Sequence, residues 1–469
     1  MGTAWTARDE EAFSRRGWSL QEAESQSEKL QSAGHGVAVD RPCTEGDGIH
    51  VLTSEDREVA RAAGVEVLQT ANQCSRFVPA SGAASRMFAA LHRTLDPALE
   101  EFLQQQAQAF PFWSTCQREA LEALAPAERA VQARSWMLDA ETGWSHLPKG
   151  LIPFHWYAQE GVSRSSFEEH ATEWSALAGS SAPLHFTVPE RYKANIESIW
   201  DGSDHITTSV QSPSTDTLAW DVEADAHARH ADGSLLFRPG GHGALLKNLA
   251  GVETPFILIR NIDNVVPHRL MADRNEEQQV LLGRCAELAR QRDALLGRSD
   301  RGTEQWVEDA IAWLRPFDAH AGDAADADAL VALLDRPVRV AGMVLNEGAP
   351  GGGPFWIRQA NGRTVPSIVE SAELPAGGLT GGTHFNPVDL ACNVQRADGS
   401  QYDVLQFADQ GRYFTGQKDW NGRSIRILER PGLWNGGMDE WLTQFIEVPA
   451  MTFAPVKTVF DLLDPIRRG

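Results

Sequence analysis

Residues 76–91, RFVPASGAASRMFAAL, combine the features that decide how this chain is expected to fold. An apolar run ends at Pro79, a patch of small residues follows from Ala80 to Ser85, and Arg86 then precedes apolar residues at helical spacing. The order predicts a strand over 76–80, a loop, and a helix. Such a loop allows backbone N–H groups to approach a phosphate closely, and a tight packing corner explains the same composition equally well.

The composition excludes several classes of function. The chain has 469 residues, of which 42% are hydrophobic, and a formal net charge of −22. A sizeable core is therefore expected, and non-specific binding to nucleic acid or to anionic membranes is not. Because this charge repels a phosphorylated substrate at long range, a phosphate site needs local cations, fixed N–H donors or a metal ion.

The cysteines and the N-terminal sequence predict a cytoplasmic protein. The cysteine count is odd and no CxxC pair occurs, which is typical of reduced thiols. The start, MGTAWTARDEEAFSRRGW, has no apolar signal-peptide segment, and no stretch approaches the ~20 apolar residues of a membrane span. The five cysteines are Cys43, Cys74, Cys116, Cys285 and Cys392.

Strand and helix patterns alternate along the chain. LHFTVPE, PFILIRNIDN and RPVRVAGMVLN have the length and apolar character of strands, and the second is apolar enough to be buried on both faces of a sheet. Residues 97–145 and 275–315 have helix-forming composition. The alternation predicts an α/β fold with a mainly parallel sheet flanked by helices.

We expect three consecutive parts. Residues 1–70 would form a helical N-terminal cap. A nucleotide-binding core would span 71–336, with helical insertions over 97–145 and 270–330. Residues 337–469 would form a second half that ends in a helix, VKTVFDLLDPI.

Two cations accompany the small-residue loop as candidate phosphate ligands. Arg86 would donate two parallel hydrogen bonds to a phosphate. Lys149 lies between Pro148 and Gly150 in LPKGLIPFH, where a rigid turn would hold its charge in place. Taken alone, Lys149 is also typical of a surface turn.

Two further segments carry candidate ligands. In FRPGGHGALL, three glycines surround His242, which indicates close backbone approach to a ligand base or a plain helix-entry turn. Asp263 follows the apolar strand of IRNIDN, where the carboxyl edge of a parallel sheet commonly holds ligands. A carboxylate there is a natural Mg²⁺ ligand beside phosphates, or a capping group.

The last candidates are GGTHFNPVD (381–389), a glycine-led turn rich in oxygen and nitrogen ligands, and Lys457. Lys457 precedes a predicted helix, whose N-terminus disfavours a cation. Its position there indicates an anionic partner or a solvated side chain.

The order of these motifs resembles the UDP-sugar pyrophosphorylases of the sugar-phosphate nucleotidyltransferase superfamily. ASGAASRM is similar to their LAGGxGTRL loop, PKGLIP to PKxLxP, RPGGHGALLKNL to PPGHGDIY, and IRNIDN to NxDN. VPSIVESAEL is similar to VVEYSEL, HFNPVD to FNTNN, and FAPVKTVFDLL to FxPVKTxxDLL. The chain as a whole is most similar to an uncharacterised bacterial family, number 4301 of the domains of unknown function.

The resemblance implies a nucleotide-diphospho-sugar transferase-like (Rossmann-like) fold and a role for each candidate. The catalytic residues would be Arg86, Lys149 and Lys457, and Mg²⁺ would be held by Asp263 with Asp389 or Asn386. Glu370 and Asn386 would bind the sugar. The nucleotide would be bound by Ala80, Ser81, Gly82, Ala83, Ala84 and Ser85 and by Gly240, Gly241, His242 and Gly243.

The reaction that the resemblance implies joins a nucleoside triphosphate, with UTP expected, to a sugar 1-phosphate and releases pyrophosphate. The alternatives are a non-catalytic nucleotide or sugar-nucleotide binding protein and a glycosyltransferase on the same scaffold. Ser81 and Ala84 replace two loop glycines of the family, and the Cβ of Ala84 favours the non-catalytic alternative. NEGAPGGGPFW (346–356) has no counterpart in the pyrophosphorylases.

Overall fold

The computed structural model describes residues 5–32, 36–324, 326–346, 352–374 and 382–467. The chain packs into two units, each built from separated segments. The first unit contains Met1–Gly64, Gln211–Ile257 and Leu281–Glu447, and the second contains Val65–Val210, Leu258–Val280 and Val448–Gly469. These units interleave along the sequence, whereas the three functional parts expected from the sequence are consecutive; that functional division stays a prediction.

The second unit contains the strand predicted from the opening stretch. Cys74–Pro79 is buried at every position, as a strand covered on both faces must be. It pairs in parallel with Leu184–Val188, which pairs in parallel with Ile206–Val210. Phe256–Arg260, where the chain enters the second unit, is next to Cys74–Pro79 in the strand order. The short antiparallel hairpin Pro153–Tyr157 and Val162–Ser165 completes its strands.

Helices of the second unit pack around this sheet. The expected helical segment 97–145 is confirmed, and its helices begin at capping residues such as Asp96 and Ser114. Met87, Trp113 and Val456 belong to one apolar cluster of this unit. The helices are Pro97–Gln106, Thr115–Glu122, Pro126–Leu138, Ser166–Ala178, Lys193–Glu197 and the first part of His268–Gly297.

The first unit contains a second run of mainly parallel strands. Gly48–His50, Leu442–Glu447 and Val338–Leu345 lie side by side in parallel, with Thr44–Glu45 on the outer side of Gly48–His50. Asp389–Asn393 and His384–Phe385 pair with Val338–Leu345 in the antiparallel direction. Two smaller sheets are antiparallel. One contains Val39–Pro42, Gly353–Arg358 and Thr364–Val369. The other contains Ala226–His227, Thr217–Asp221, Arg423–Glu429, Phe414–Trp420 and Phe237–Arg238.

The first unit's α-helices lie before, between and after these strands. They are Ala7–Arg16, Leu20–Gln31, the first part of Ser54–Gln69, Leu246–Leu249, the second part of His268–Gly297, Glu304–Leu314 and Ala327–Leu334. The expected N-terminal cap therefore contains helices and also strands, since Thr44–Glu45 and Gly48–His50 join the sheet. Strands of two and three residues are too short to leave a pattern in the sequence.

Two predicted helices are wrong. After the small-residue loop the chain forms two 3₁₀ turns, Ala84–Arg86 and Ala89–His92, and Lys457 precedes a third, Val459–Leu463. Apolar side chains in each stretch are buried in the core. Their spacing therefore indicated which residues pack there, and 3₁₀ turns satisfy this spacing as an α-helix does. The helix-dipole argument made for Lys457 therefore does not apply.

No helix among the described residues is long and apolar enough to cross a membrane. The five cysteines are free thiols, as predicted, and four of them are buried.

Candidate functional site

Asp263 lies in a tight turn at the end of a buried strand of the second unit. Side chains hold the backbone on both sides of it. The Ser166 hydroxyl donates to the carbonyl of Ile262, and Nη2 of Arg274 donates to the carbonyl of Asn264 at 2.6 Å. Both donors are buried. These two hydrogen bonds hold in place the backbone that carries the Asp263 side chain.

Two lysines converge on Asp263. Nζ of Lys149 donates to Oδ2 of Asp263 at 3.0 Å and to the carbonyl of Val456 at 2.7 Å. Nζ of Lys457 donates to the same Oδ2 at 3.4 Å. The side chains of Lys149 and Asp263 are 16% and 12% exposed, whereas that of Lys457 is 53% exposed. The buried carboxylate of Asp263 therefore contacts two ammonium groups, that of the largely buried Lys149 and that of the solvent-accessible Lys457.

The electrostatics of this cluster follow from burial and from its excess of positive charge. Burial lowers the pKa of the Lys149 ammonium below its usual value; Asp263 opposes the shift, and Lys457 and Arg86 add to it by repulsion. Burial alone would raise the pKa of Asp263, but Lys149 and Lys457 hold it below its usual range. Asp263 is therefore ionised at neutral pH.

The turn that carries Lys149 is held by close packing. A Cβ on Gly150 would lie 2.4 Å from the ring of Phe167, so only glycine lets the chain lie against that ring. The amide of Lys149 donates to the carbonyl of Gly82 at 3.4 Å. The lysine turn and the small-residue loop are therefore neighbours, as the motif order predicted.

The small-residue loop presents three adjacent backbone donors. The amide of Ala80 donates to Thr187, and that of Ala84 donates to the carbonyl of Leu147. Within the part of the chain that the structure describes, the amides between them, of residues 81–83, donate no hydrogen bond. These unpaired amides are free to donate hydrogen bonds to a ligand.

Gly82 and Ala84 differ in what their side-chain positions meet. A Cβ on Gly82 would meet no atom within 4 Å, and its φ is not positive, so neither packing nor backbone conformation requires a glycine there. The methyl group of Ala84 is fully buried in the apolar cluster of the second unit. It therefore points away from any ligand on the exposed side of the loop, which removes the objection that its Cβ raised.

Arg86 and Ser85 are exposed at the end of the loop. Arg86 is close enough to Lys149 for its charge to lower the pKa of that lysine. Arg86, Lys149 and Lys457 together outnumber Asp263, so this part of the second unit carries a local positive charge on a chain whose net charge is −22.

In the first unit, packing within the chain accounts for the glycines of the 240–243 loop. A Cβ on Gly243 would lie 2.0 Å from the carbonyl oxygen of Pro431, and one on Gly240 would lie 2.6 Å from that of Thr215. Gly241 has a φ of 74°. These glycines are needed for the fold itself, and their role toward a nucleotide base stays a prediction.

His242 of that loop contacts Glu370, which the resemblance assigns to the sugar. Nδ1 of His242 accepts the amide proton of Leu433 at 3.1 Å, so the ring proton is on Nε2, which lies 3.3 Å from Oε1 of Glu370. The ring stacks on Trp434 with centroids 4.3 Å apart. Burial would raise the pKa of Glu370, but His242 and Asn435 hold it below its usual range. Two residues predicted for different ligands therefore act on each other.

Asn386 and Asp389 are both buried in the first unit. Oδ1 of Asn386 accepts the amide of Val388, whose φ is 60°, so this side chain supports a turn that leads into the strand Asp389–Asn393. Their predicted roles toward sugar and metal stay predictions. Gly381 of the same motif and residues 347–351 of NEGAPGGGPFW lie outside the described residues.

The described residues contain no group of three or more His, Cys, Asp or Glu side chains placed to hold a metal ion. Magnesium bound beside phosphates needs fewer protein ligands, because it keeps several waters and takes phosphate oxygens. Oδ1 of Asp263 is buried and has no hydrogen-bond partner among the described residues. Asp263 therefore fits a magnesium ion through Oδ1.

A group of buried charges beside Asp263 was not predicted from the sequence. Glu173 accepts from Arg76 at 3.0 Å, from Arg260 at 3.3 Å and from Gln278 at 2.9 Å. Arg260 also donates to the carbonyl of Asn264. The only signal in the sequence is the arginine at the end of the apolar run PFILIR, and an arginine there equally suits a solvated strand end.

Comparison with known proteins extends the description. A family model described as "Domain of unknown function (DUF4301)" matches residues 6–468. No curated protein sequence matches this chain.

A solved structure shares its fold. The uridine diphosphate N-acetylglucosamine pyrophosphorylase from Trypanosoma brucei, solved in complex with an inhibitor, matches with a TM-score of 0.51 at 13% identity, over 95% of this chain and 74% of that one. A putative UDP-N-acetylglucosamine pyrophosphorylase from Entamoeba histolytica has a TM-score of 0.48 at 11% identity, with coverages of 89% and 83%. The predicted nucleotidyltransferase-like α/β fold is confirmed.

Proposed function

The chain belongs to the family described as a domain of unknown function, DUF4301, and we propose that it is a nucleotidyltransferase that joins a nucleoside triphosphate to a sugar 1-phosphate. UTP is the proposed nucleotide, and pyrophosphate is the second product. One observation carries the proposal: Lys149 and Lys457 meet on Asp263, and the amide of Lys149 donates to Gly82, in a loop with three unpaired amides. The fold shared with a UDP-N-acetylglucosamine pyrophosphorylase supports it.

The proposed reaction asks little covalent chemistry of the protein. A phosphate oxygen of the sugar 1-phosphate attacks the α-phosphorus of the triphosphate in line. The bond from the α-phosphorus to the oxygen that bridges it to the β-phosphorus breaks, and pyrophosphate leaves with that electron pair. The protein must align two anions that repel each other and neutralise the charge that develops.

The second unit supplies the groups for this task. The amides of residues 81–83 and the guanidinium of Arg86 would hold the triphosphate. Lys149 would neutralise the leaving phosphates, and the more exposed Lys457 would hold the sugar phosphate. In the free protein Asp263 keeps both ammonium groups in place, so their charges are already near the position that phosphate oxygens would occupy.

Magnesium is the proposed cofactor, with Oδ1 of Asp263 as its protein ligand. When bound, the ion supplies charge neutralisation across the phosphates. Asp389 is proposed as a second ligand.

Recognition of the base and the sugar is proposed for the residues that the resemblance assigns to them. The Gly240–Gly243 loop would contact the base, and Glu370 and Asn386 would bind sugar hydroxyls. Because the pKa of Glu370 is held below its usual range, its carboxylate is ionised and suits a hydroxyl donor.

The test is a panel of nucleoside triphosphates against sugar 1-phosphates with Mg²⁺, read by pyrophosphate release. Release that needs both substrates is the expected result. Tight nucleotide binding without release would identify a non-catalytic binding protein, and turnover of a sugar nucleotide with a hydroxyl acceptor would identify a glycosyltransferase. Either of these outcomes overturns the proposal.

A further inference from the structure

A buried asparagine next to Asp263 fastens the carboxyl-terminal segment to the site. Oδ1 of Asn264 accepts the amide of Ala454 at 3.0 Å, and the two chains form an isolated antiparallel bridge at Asn264 and Pro455. The carbonyl of Asp263 accepts the amide of Val456 at 2.9 Å. Asn264 itself is 1% exposed, so its amide group acts in a dry environment, where a lost hydrogen bond is costly.

The fastened segment carries two of the site's contacts. The carbonyl of Val456 accepts Nζ of Lys149 at 2.7 Å, and the next residue, Lys457, reaches Asp263 at 3.4 Å. A shift of residues 454–456 would therefore move Lys457 directly and remove one acceptor of Lys149.

We propose that Asn264 is a positioning residue that docks segment 454–457 on the Asp263 turn and thereby places Lys457. It touches no reacting atom in this arrangement. Its consequence for turnover depends on the proposed function, whereas the docking itself depends only on the contacts above.

The surroundings of Asn264 make the side-chain contact separable from the turn. Its backbone carbonyl is held by Arg260 at 3.2 Å and by Arg274 at 2.6 Å, and both bonds survive any change of side chain. Asn264→Ala removes the acceptor for the amide of Ala454. Asn264→Asp keeps an acceptor oxygen, and its added charge lies near two guanidinium groups.

The test is hydrogen exchange of the full-length protein, followed at the amides of Ala454 and Val456. We expect Asn264→Ala to speed exchange of the Ala454 amide about tenfold and Asn264→Asp to restore slow exchange. Trp306→Phe is the matched control, because Nε1 of the buried Trp306, in the first unit, also donates to a backbone carbonyl, that of Leu295, at 3.0 Å. It should lower the melting temperature without changing exchange at 454–456.

Kinetics add the second readout. Asn264→Ala should raise KM for the sugar phosphate about tenfold, with KM for the nucleotide nearly unchanged, and Asn264→Asp should restore it. Unchanged exchange at Ala454 in Asn264→Ala would overturn the docking role, whatever the activity. Faster exchange in a protein that never releases pyrophosphate would leave the docking intact and count against the proposed function alone. Equal rises in both KM values would overturn the specific placement of Lys457.

Discussion

Lys149 and Asp263 are 114 residues apart in the sequence, and Nζ of one lies 3.0 Å from Oδ2 of the other. Both side chains are largely buried, so each charge depends on the other for compensation. Lys457 adds a second ammonium at the same oxygen. Asp263 thus holds two phosphate-binding candidates together through its negative charge, and its removal has consequences for both.

Asp263→Asn should abolish metal-dependent pyrophosphate release in a protein that still folds but melts earlier, because the largely buried Lys149 loses its counter-charge. Asn keeps the shape of the side chain but loses the charge that attracts a hard cation and holds the two lysines. We expect kcat to fall at least about 100-fold, as it does when a group that stabilises transition-state charge is lost. The measurement is pyrophosphate release across a Mg²⁺ titration, with far-ultraviolet circular dichroism to check the fold.

Asp96→Asn is the control for this change. Asp96 accepts amides at the start of the helix Pro97–Gln106, and Asn caps helices as well as Asp does, so neither activity nor stability should change. Undiminished Mg²⁺-dependent release by Asp263→Asn would exclude Asp263 as the metal ligand.

The pH dependence of activity should reflect the lowered pKa of Lys149. Because the pKa of Lys149 is below its usual value of 10.5, its ammonium is lost at a lower pH than that of an exposed lysine, and activity should fall as pH rises through that pKa. Lys149→Arg should move this alkaline limb of kcat/KM upward, since arginine stays charged. An alkaline limb that stays in place in this variant would mean that another group controls it.

The same shift predicts the sign of a stability change. Between the lowered pKa and about 10.5 the unfolded chain binds more protons at Lys149 than the folded chain, so this group makes stability rise with pH across that interval. Lys149→Arg should lack the rise. Chemical denaturation of both proteins at several alkaline pH values measures it.

The sequence predicted the strands best where burial on both faces left an unbroken apolar run. Phe256–Arg260 is such a strand, and Cys74–Pro79 and Leu184–Val188, which contain polar residues, also lie where expected. The helix after the loop failed, because buried side chains at helical spacing also suit two 3₁₀ turns packed on a core. The spacing of apolar residues does not show the tertiary contacts that decide between an α-helix and 3₁₀ turns.

Motif order also predicted which residues would meet around Asp263. It did not predict that Asn264 fastens a segment almost 200 residues away, nor that His242 contacts Glu370. Those contacts depend on side-chain geometry between distant segments, and one sequence carries no signal for them. For the glycines at 240–243 the sequence indicated contact with a ligand base, whereas packing against Pro431 and Thr215 accounts for them.

Lys457→Ala should weaken use of the sugar phosphate and leave nucleotide binding nearly unchanged. The reason is its pairing with Asp263 at an exposed position, not the helix dipole that the sequence suggested. Exposed ion pairs contribute ~0–1 kcal/mol, and Lys149 still neutralises Asp263, so the melting temperature should change little. Steady-state kinetics with each substrate varied, together with a thermal melt, measures both effects.

The matched control is Lys418→Ala, which removes an exposed lysine from the hairpin strand Phe414–Trp420 of the first unit. It should alter neither kinetics nor stability. If Lys457→Ala melts markedly earlier and keeps full activity with every accepted sugar phosphate, Lys457 is structural and the assignment of the sugar phosphate to it is wrong.

Gly82→Ala tests whether the glycine at residue 82 is needed for ligand binding or for packing of the fold. A Cβ on Gly82 meets nothing within 4 Å and needs no unusual φ, so the folded protein should tolerate it with an unchanged or slightly raised melting temperature. A phosphate seated on the amides of residues 81–83 would meet the new methyl group, and KM for the nucleotide should rise about tenfold or more, the cost of a lost hydrogen bond to a charged group. Titration of nucleotide binding and a thermal melt of the same preparation test the two halves of this prediction.

Two other glycines provide controls for Gly82→Ala. Gly322→Ala, also at a position open to solvent, should change neither quantity, whereas Gly243→Ala should be strongly destabilising because its Cβ would lie 2.0 Å from the carbonyl oxygen of Pro431. If Gly82→Ala binds nucleotide as tightly as the unmodified protein and is equally stable, nothing approaches the loop at residue 82. The triphosphate must then be held elsewhere, and the small residues of the 80–85 loop would reflect only the packing corner that their composition also allowed.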